Sequence, residues 1–153
     1  MRTTLICVGR LSREYAAVWR HYQGLIRPYS TVEVLEVTET PLASGSGHVK
    51  AKEGAPILSL LRPGAFTVAL DRKGREFTSE EISSFLAERK LHGMSHFQFI
   101  LGGVVGLDES VLARSDLSWS LSTLTFPHQM ARVIVLEQLY RALRIERGEP
   151  YHH

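Results

Sequence analysis

Phe97-Gln98-Phe99-Ile100-Leu101-Gly102-Gly103-Val104-Val105-Gly106-Leu107-Asp108 decides the fold. Phe97 to Leu101 is an apolar run of strand length, the three glycines mark a turn, and Asp108 is a cap for a short helix through Ala113. A strand that feeds a helix through a glycine-rich turn is the building unit of an α/β protein. The same turn lets the backbone approach a ligand closely and aims amide N–H groups at it.

Outward from this stretch the alternation continues. Toward the amino terminus, Thr78-Ser79-Glu80-Glu81 is a capping box that opens a helix carrying Ile82, Phe85, Leu86 and Leu91 and stopping at Gly93. Ala65 to Leu70 is a compact strand ended by Asp71 and a turn through Gly74. A helix over Val49 to Leu61, weakened by Gly54 and Pro56, follows a loop from Thr38 to Gly47. Thr31 to Val37 and Thr3 to Val8 read as strands. Between them Ser12 offers a cap to an amphipathic helix with Tyr15, Val18, Trp19, Tyr22 and Ile26, ended by Pro28. Toward the carboxy terminus, Ser118 to Phe126 is β-like, Pro127 sits where prolines open helices, and Gln129 to Glu146 forms a helix closed by Gly148. The expected fold is α/β, a mostly parallel sheet with helices on both faces, in a single domain over residues 1–153.

The 153 residues are 44% hydrophobic and 22% charged, a profile that excludes disorder. The single cysteine, Cys7, lies in the apolar run Leu5 to Val8 and is expected in the core, in a reducing compartment. The first apolar run breaks at Gly9-Arg10, too short for a signal peptide, and no segment reaches membrane-spanning length. A cytoplasmic location is expected. The net charge of +2 divides into +4 over residues 1–30, where five arginines face Glu14 alone, and −2 over the remainder. Such a basic segment meets phosphate or is a solvated helix face; the total is too small for strong sequence-blind RNA binding.

Ligands of an open α/β sheet collect beyond the carboxyl ends of the strands, and three ends stand out: Leu70-Asp71, Gly102 to Gly106, and Ser122 to Pro127. The glycine loop matches neither G-x-G-x-x-G nor the P-loop pattern, which removes the main support for a nucleotide-dependent oxidoreductase. The seven histidines form no H-E-x-x-H, and His92 and His96 flank a helix stop, so no metal site is expected. There is no G-x-S-x-G elbow for a hydrolase nucleophile.

Trp119-Ser120-Leu121-Ser122-Thr123-Leu124-Thr125-Phe126-Pro127-His128, with Arg132, Glu137-Gln138-Leu139-Tyr140-Arg141-Ala142 and Pro150-Tyr151-His152, resembles the ribosomal RNA large subunit methyltransferase H family of the SPOUT class. The resemblance covers the whole chain. It implies methylation of N3 of a pseudouridine in 23S rRNA, in helix 69 of the assembled 70S ribosome. It also implies a homodimer, a carboxy-terminal trefoil knot, and S-adenosylmethionine (S-adenosyl-L-methionine) held in the knot loops. Cofactor binding then maps onto Leu70, Gly103, Ser122, Thr123, Leu124, Thr125, Phe126 and Pro127. Leu124 and Phe126 supply apolar contact to the cofactor or belong to the core. His128, Arg141, Tyr151 and His152 are the candidates facing RNA. Because a sulfonium already activates the methyl group, the remaining demand is removal of the imide N3–H, by a base such as His128 or His152 with a cation such as Arg141 against the ring anion. Tyr151 is suited to stack on a base. Relatives commonly carry Gly-Gly-Pro-Glu-Gly where this chain has Val104-Val105 between glycines, which leaves open a non-catalytic ribosome- or RNA-binding module retaining the fold.

Overall fold

The computed structural model describes residues 1–151. In chain order the elements are β1 (Arg2–Val8), α1 (Arg13–Ile26), β2 (Thr31–Val37), a 3-10 turn (Leu42–Ser44), α2 (Ser46–Leu60) and β3 (Phe66–Glu76). They continue with α3 (Ser79–Leu91), β4 (His96–Leu101), α4 (Glu109–Ala113), β5 (Leu117–Ser120) and α5 (His128–Glu146). The five strands form one sheet in the order β2-β1-β4-β3-β5, and every pair is parallel. All carboxyl ends therefore share one edge, and those of β4, β3 and β5 are neighbours.

Side chains of a strand alternate between faces, so one strand feeds two cores. Leu5 and Cys7 of β1, Val68 of β3, and Phe97, Phe99 and Leu101 of β4 point toward α1, α3 and α5, where Trp19, Ile26, Ile82, Leu86, Leu136 and Leu139 complete the larger core. Ile6, Val8, Ala69 and Ile100 point to the other face and meet Ile57 of α2 and Val111 of α4. Helices thus cover both faces, as the alternation of elements predicts. Burial pushes the Cys7 thiol up to about 12, with Arg132 opposing and Glu36 adding to the shift; Cys7 is a core residue. Gln98, the one polar residue of the β4 run, donates through Nε2 to Thr67 Oγ1 at 2.7 Å and accepts from Arg62 N at 3.0 Å, which ties β4 to the entry of β3.

The caps at Thr78 and Asp108 form as expected, the first as a reciprocal capping box with Glu81. Ser12 occupies the N-cap of α1 without a side-chain cap bond. Three boundaries differ from the sequence reading. Helix α2 begins within the expected loop, at Ser46, and runs through Pro56. Its Gly54 is needed for packing rather than weakness, because a β-carbon there would lie 3.1 Å from Asp108 Cβ on α4. Strand β3 does not end at Asp71: Leu70 and Arg75 both pair with Trp119, and residues 71–74 bulge between them. The β-like stretch after Ser118 stops at Ser120, and residues 121–127 form an irregular loop.

Candidate functional site

A cleft of about 170 Å³ opens where β4 ends, beside the bulge of β3 and the end of β5. Strand β3 brings Leu70, Asp71 and Arg72; β4 brings Leu101 and the glycine turn with Gly102, Gly103 and Gly106. From β5 and the loop after it come Trp119, Leu121, Ser122, Leu124, Thr125 and Phe126, and α5 adds His128 and Ala131. Six of the eight cofactor candidates therefore meet here: Leu70, Gly103, Ser122, Leu124, Thr125 and Phe126. Thr123 and Pro127 do not line the cleft. Pro127 instead occupies the N-cap of α5, with φ −52°.

Tight backbone contacts shape the walls. Gly106 N–H donates to Gly103 O at 3.1 Å and Gly106 has φ +82°, so the turn closes on itself. A β-carbon on Gly102 would fall 2.9 Å from the Gly106 carbonyl carbon, and one on Gly103 would fall 3.0 Å from Val8 Cγ1. On the opposite wall Ser120 Oγ donates to Ser122 O at 3.0 Å and Leu124 N–H to Ser122 Oγ at 3.1 Å. These bonds hold Leu124 out of the core, 69% exposed. Phe126 is half-buried and Val104, at the tip of the glycine turn, is exposed.

This architecture fits S-adenosylmethionine. Trp119, Leu101 and Leu121 give an apolar floor for a flat base, the side-chainless turn brings peptide groups to the ligand, and Asp71 and Ser122 at the rim supply polar groups for hydroxyls or an amine. Among the described residues no group of three or more His, Cys, Asp or Glu is arranged to hold a metal. His92 caps α3 while His96 lies in β4 against Thr4 Oγ1 at 2.9 Å, so the two belong to different elements.

His128, the first residue of α5, stands at the cleft beside the turn after β1. Its Nε2 lies 3.7 Å from the point a Gly9 β-carbon would occupy, and Glu39 Oε2 lies 3.6 Å from that same point. Gly9, at φ +84°, gives both side chains room. Arg132, one helical turn further and 2% exposed, donates to Gly9 O at 2.7 Å and to Glu36 Oε1 at 2.9 Å, which fixes this turn against α5. Gln129 bridges the same segment, accepting from Ser12 N–H at 2.9 Å and donating to Arg10 O at 2.6 Å. Behind the glycine turn lies Glu53 of α2, 3% exposed. Glu53 and Arg72 were not singled out from sequence, and Arg132 entered only within the family motif; a charged residue in a helix pattern reads as solvent-facing until its surroundings are known.

Arg141 and Tyr151 do not reach the cleft. Tyr151 Oη donates to Glu137 Oε1 at 3.0 Å, Arg141 Nε donates to the same oxygen at 3.0 Å, and the Arg141 guanidinium lies 4.6 Å from the centre of the Tyr151 ring. Burial and then the bond to Glu137 push the Tyr151 hydroxyl well above its usual range, so it remains a donor. His152 lies outside the described residues.

A parallel five-stranded α/β sheet with a glycine turn and a pinned loop beside one cleft defines the class of an open α/β protein whose ligand site lies beyond the carboxyl ends of its strands and whose glycine loop lacks the dinucleotide pattern. The model for the family described as "Predicted SPOUT methyltransferase" matches residues 1–152. The chain is 42% identical to a protein of Bifidobacterium animalis subsp. lactis over 99% of both chains, and 44% identical to one of Pelotomaculum thermopropionicum over 98% of both. A relative from Symbiobacterium thermophilum is 42% identical over 99% of both chains. All three relatives are named ribosomal RNA large subunit methyltransferase H. This chain belongs to the SPOUT methyltransferases, in the ribosomal RNA large subunit methyltransferase H family.

Proposed function

We propose that this chain is a cytoplasmic, S-adenosylmethionine-dependent methyltransferase acting on N3 of a pseudouridine in 23S rRNA, in helix 69 of the assembled 70S ribosome. The observation that carries this is the convergence of six expected cofactor residues and His128 on one cleft at the strand edge. The rRNA substrate is supported by the names of relatives that align along nearly the whole chain.

The cofactor, when bound, supplies a methyl group already activated by positive sulfur. The protein's own residues then have to seat the nucleoside and accept its N3 proton. His128 stands at the cleft for that task, with His152 as the second candidate, and Arg141 and Tyr151 serve as anion stabiliser and stacking platform. Within one chain the pieces are apart. Arg141 is thirteen positions beyond His128 on α5, about 20 Å along the helix at 1.5 Å per residue. A homodimer, in which one copy's Arg141–Tyr151 cluster faces the other's cleft, removes that separation.

Mass spectrometry of 23S rRNA from cells lacking the protein tests the function: one methyl group on a pseudouridine should disappear. Methyl transfer by His128→Ala and His152→Ala, measured at saturating cofactor across pH, tests the proton acceptor, and unchanged rates in both remove that assignment. The Val104-Val105 tip, where Val104 is exposed, favours one competing reading, a binding module without catalysis. Titration calorimetry separates them, since an enzyme should bind S-adenosylmethionine at micromolar levels, about −8 kcal/mol, and a pure module should give no heat.

A further inference from the structure

Helix α1 carries a second surface that the cleft does not use. Arg13, Ala17, Arg20, Gly24 and Arg27 follow the spacing i, i+4, i+7, i+11, i+14, which stacks them on one face. All five are exposed, whereas Trp19 and Ile26 on the opposite face are buried in the larger core. Arginines thus alternate with positions that have little or no side chain. Among the described residues none of these three arginine side chains makes an ion pair, a hydrogen bond or a cation–π contact.

Two further observations show that the row is shaped to receive something. Arg20, Gln23, Gly24 and Arg27 form one wall of a groove of about 570 Å³ whose other wall is Ser30 to Val32 at the start of β2. At Gly24 a β-carbon would meet nothing within 4 Å, so packing within the chain does not require glycine there, although glycine is the least favourable helix-interior residue after proline. A bare Cα at this position leaves room for close approach by another molecule's backbone. The row also starts at the catalytic end of the molecule: Gln129, next to His128, bonds to Arg10 O and Ser12 N–H, immediately before Arg13. From there to Arg27 the row is about 21 Å long, at 1.5 Å per residue.

We propose that this row is a phosphate-tracking surface that seats the sugar-phosphate backbone of the rRNA strand flanking the target nucleotide. The proposal rests on the rRNA methyltransferase reading above and extends it from the site to its docking surface. Guanidinium forks grip phosphate oxygens in pairs, and the gaps at Ala17 and Gly24 let the strand lie against the helix between them. Concentrating five of the chain's cationic residues in its first thirty achieves locally what a net charge of +2 does not.

The test measures cosedimentation of the full-length protein with intact ribosomes across a salt series, beside methyl transfer to the same particles. The double variant R20E/R27E should bind at least tenfold more weakly. The slope of log affinity against log salt should be shallower by about two, roughly one for each phosphate contact removed. Calorimetric affinity for S-adenosylmethionine should stay at the wild-type value. Gly24→Leu, which fills the gap without changing charge and improves helix propensity, should also weaken binding while melting no lower than wild type. Wild-type affinity and slope in both variants overturn the proposal, and so does a loss that is independent of salt, which assigns the face to a protein partner. Salt-dependent loss in the variants, with no methyl transfer by the wild type to any rRNA, leaves the surface standing and removes the catalytic reading instead.

Discussion

Glu53 Oε1 lies 3.3 Å from the point a Gly103 β-carbon would occupy, and it has no hydrogen-bond partner among the described residues. Its other oxygen accepts from Thr40 N–H at 2.8 Å. A buried carboxylate therefore anchors the segment before α2 with one oxygen and backs the glycine turn with the other. Gly103→Ala sets a methyl group against both this oxygen and Val8. Overpacking of this kind costs about 1–3 kcal/mol, and it pushes the turn away from Val8 and Glu53. The variant should bind S-adenosylmethionine at least tenfold more weakly by calorimetry, and wild-type affinity would remove the turn from the cofactor site.

Substitution of Glu53 itself separates anchoring from charge. Glu53→Ala leaves the Thr40 N–H, in a residue only 7% exposed, without its acceptor, a loss of about 1–3 kcal/mol by urea denaturation. Glu53→Gln keeps an oxygen for Thr40 and removes a buried charge whose second oxygen is unpaired. It should be closer to wild type than the alanine variant; the reverse order would mean that the charge, not the hydrogen bond, holds the segment.

Leu124 offers a test with little structural interference. At 69% exposure its side chain adds little to the folded chain, yet it lines the cleft. Leu124→Ser should leave Tm within about 1 °C, in keeping with the small effect of most surface changes. Cofactor affinity should fall about threefold to tenfold as apolar area covered on binding is lost. A normal affinity would mean that Leu124 faces solvent even in the loaded enzyme.

The residues that carried the fold in the sequence are those whose local pattern and tertiary role agree. The apolar run Phe97 to Leu101, its end at Gly102 and the Thr78 capping box were legible because strand length, cap chemistry and glycine placement are local properties. Strand β3 beyond Leu70 was not. Asp71-Arg72-Lys73-Gly74 has the composition of a turn, but the strand resumes pairing with β5 at Arg75 and Glu76, and the bare Cα of Gly74 lets Ser118 approach within the bulge. The burial of Glu53 and Arg132 was not legible for a related reason, since it depends on segments far away in sequence: Thr40 and Gly103 around the first, Gly9 and Glu36 around the second. The cofactor residues came from adjacent strand ends and were found together. Arg141 and Tyr151 were grouped with His128 by resemblance, and the length of α5 separates them from it.

Acid should weaken the fold through His96. Burial, then the positive charges of Arg2 and Arg62, hold its imidazole below the usual value of 6.5. In the unfolded chain the ring binds a proton near pH 6.5 while the folded chain still excludes it, so the unfolded state carries more protons and stability rises with pH in that window. Stability is therefore intact above about 6.5 and is lost progressively as pH falls toward the lower folded value. Urea midpoints at pH 5 and pH 7.5 should differ, and His96→Asn should narrow the difference. An equal difference in the variant would place the acid sensitivity elsewhere.

Arg132 joins three elements through one guanidinium: α5 carries it, the carbonyl of Gly9 after β1 accepts one bond, and Glu36 of β2 accepts the other. Arg132 is 2% exposed but the Glu36 side chain is 37% exposed. That asymmetry sets the size of the effect. Breaking a fully buried pair costs about 3–5 kcal/mol because a charge is stranded without water. Here the residue left behind is partly solvated, so Arg132→Ala should cost less, about 2–3 kcal/mol from the lost hydrogen bonds and the cavity. Arg132→Lys retains the charge without the two-pronged geometry, holds Gly9 or Glu36 but not both, and should fall between the alanine variant and wild type in urea denaturation. The Gly9 turn also borders His128, so the alanine variant should lose methyl transfer beyond its loss of folded protein, measured as rate per folded molecule. A rate that tracks the folded fraction alone would confine Arg132 to stability.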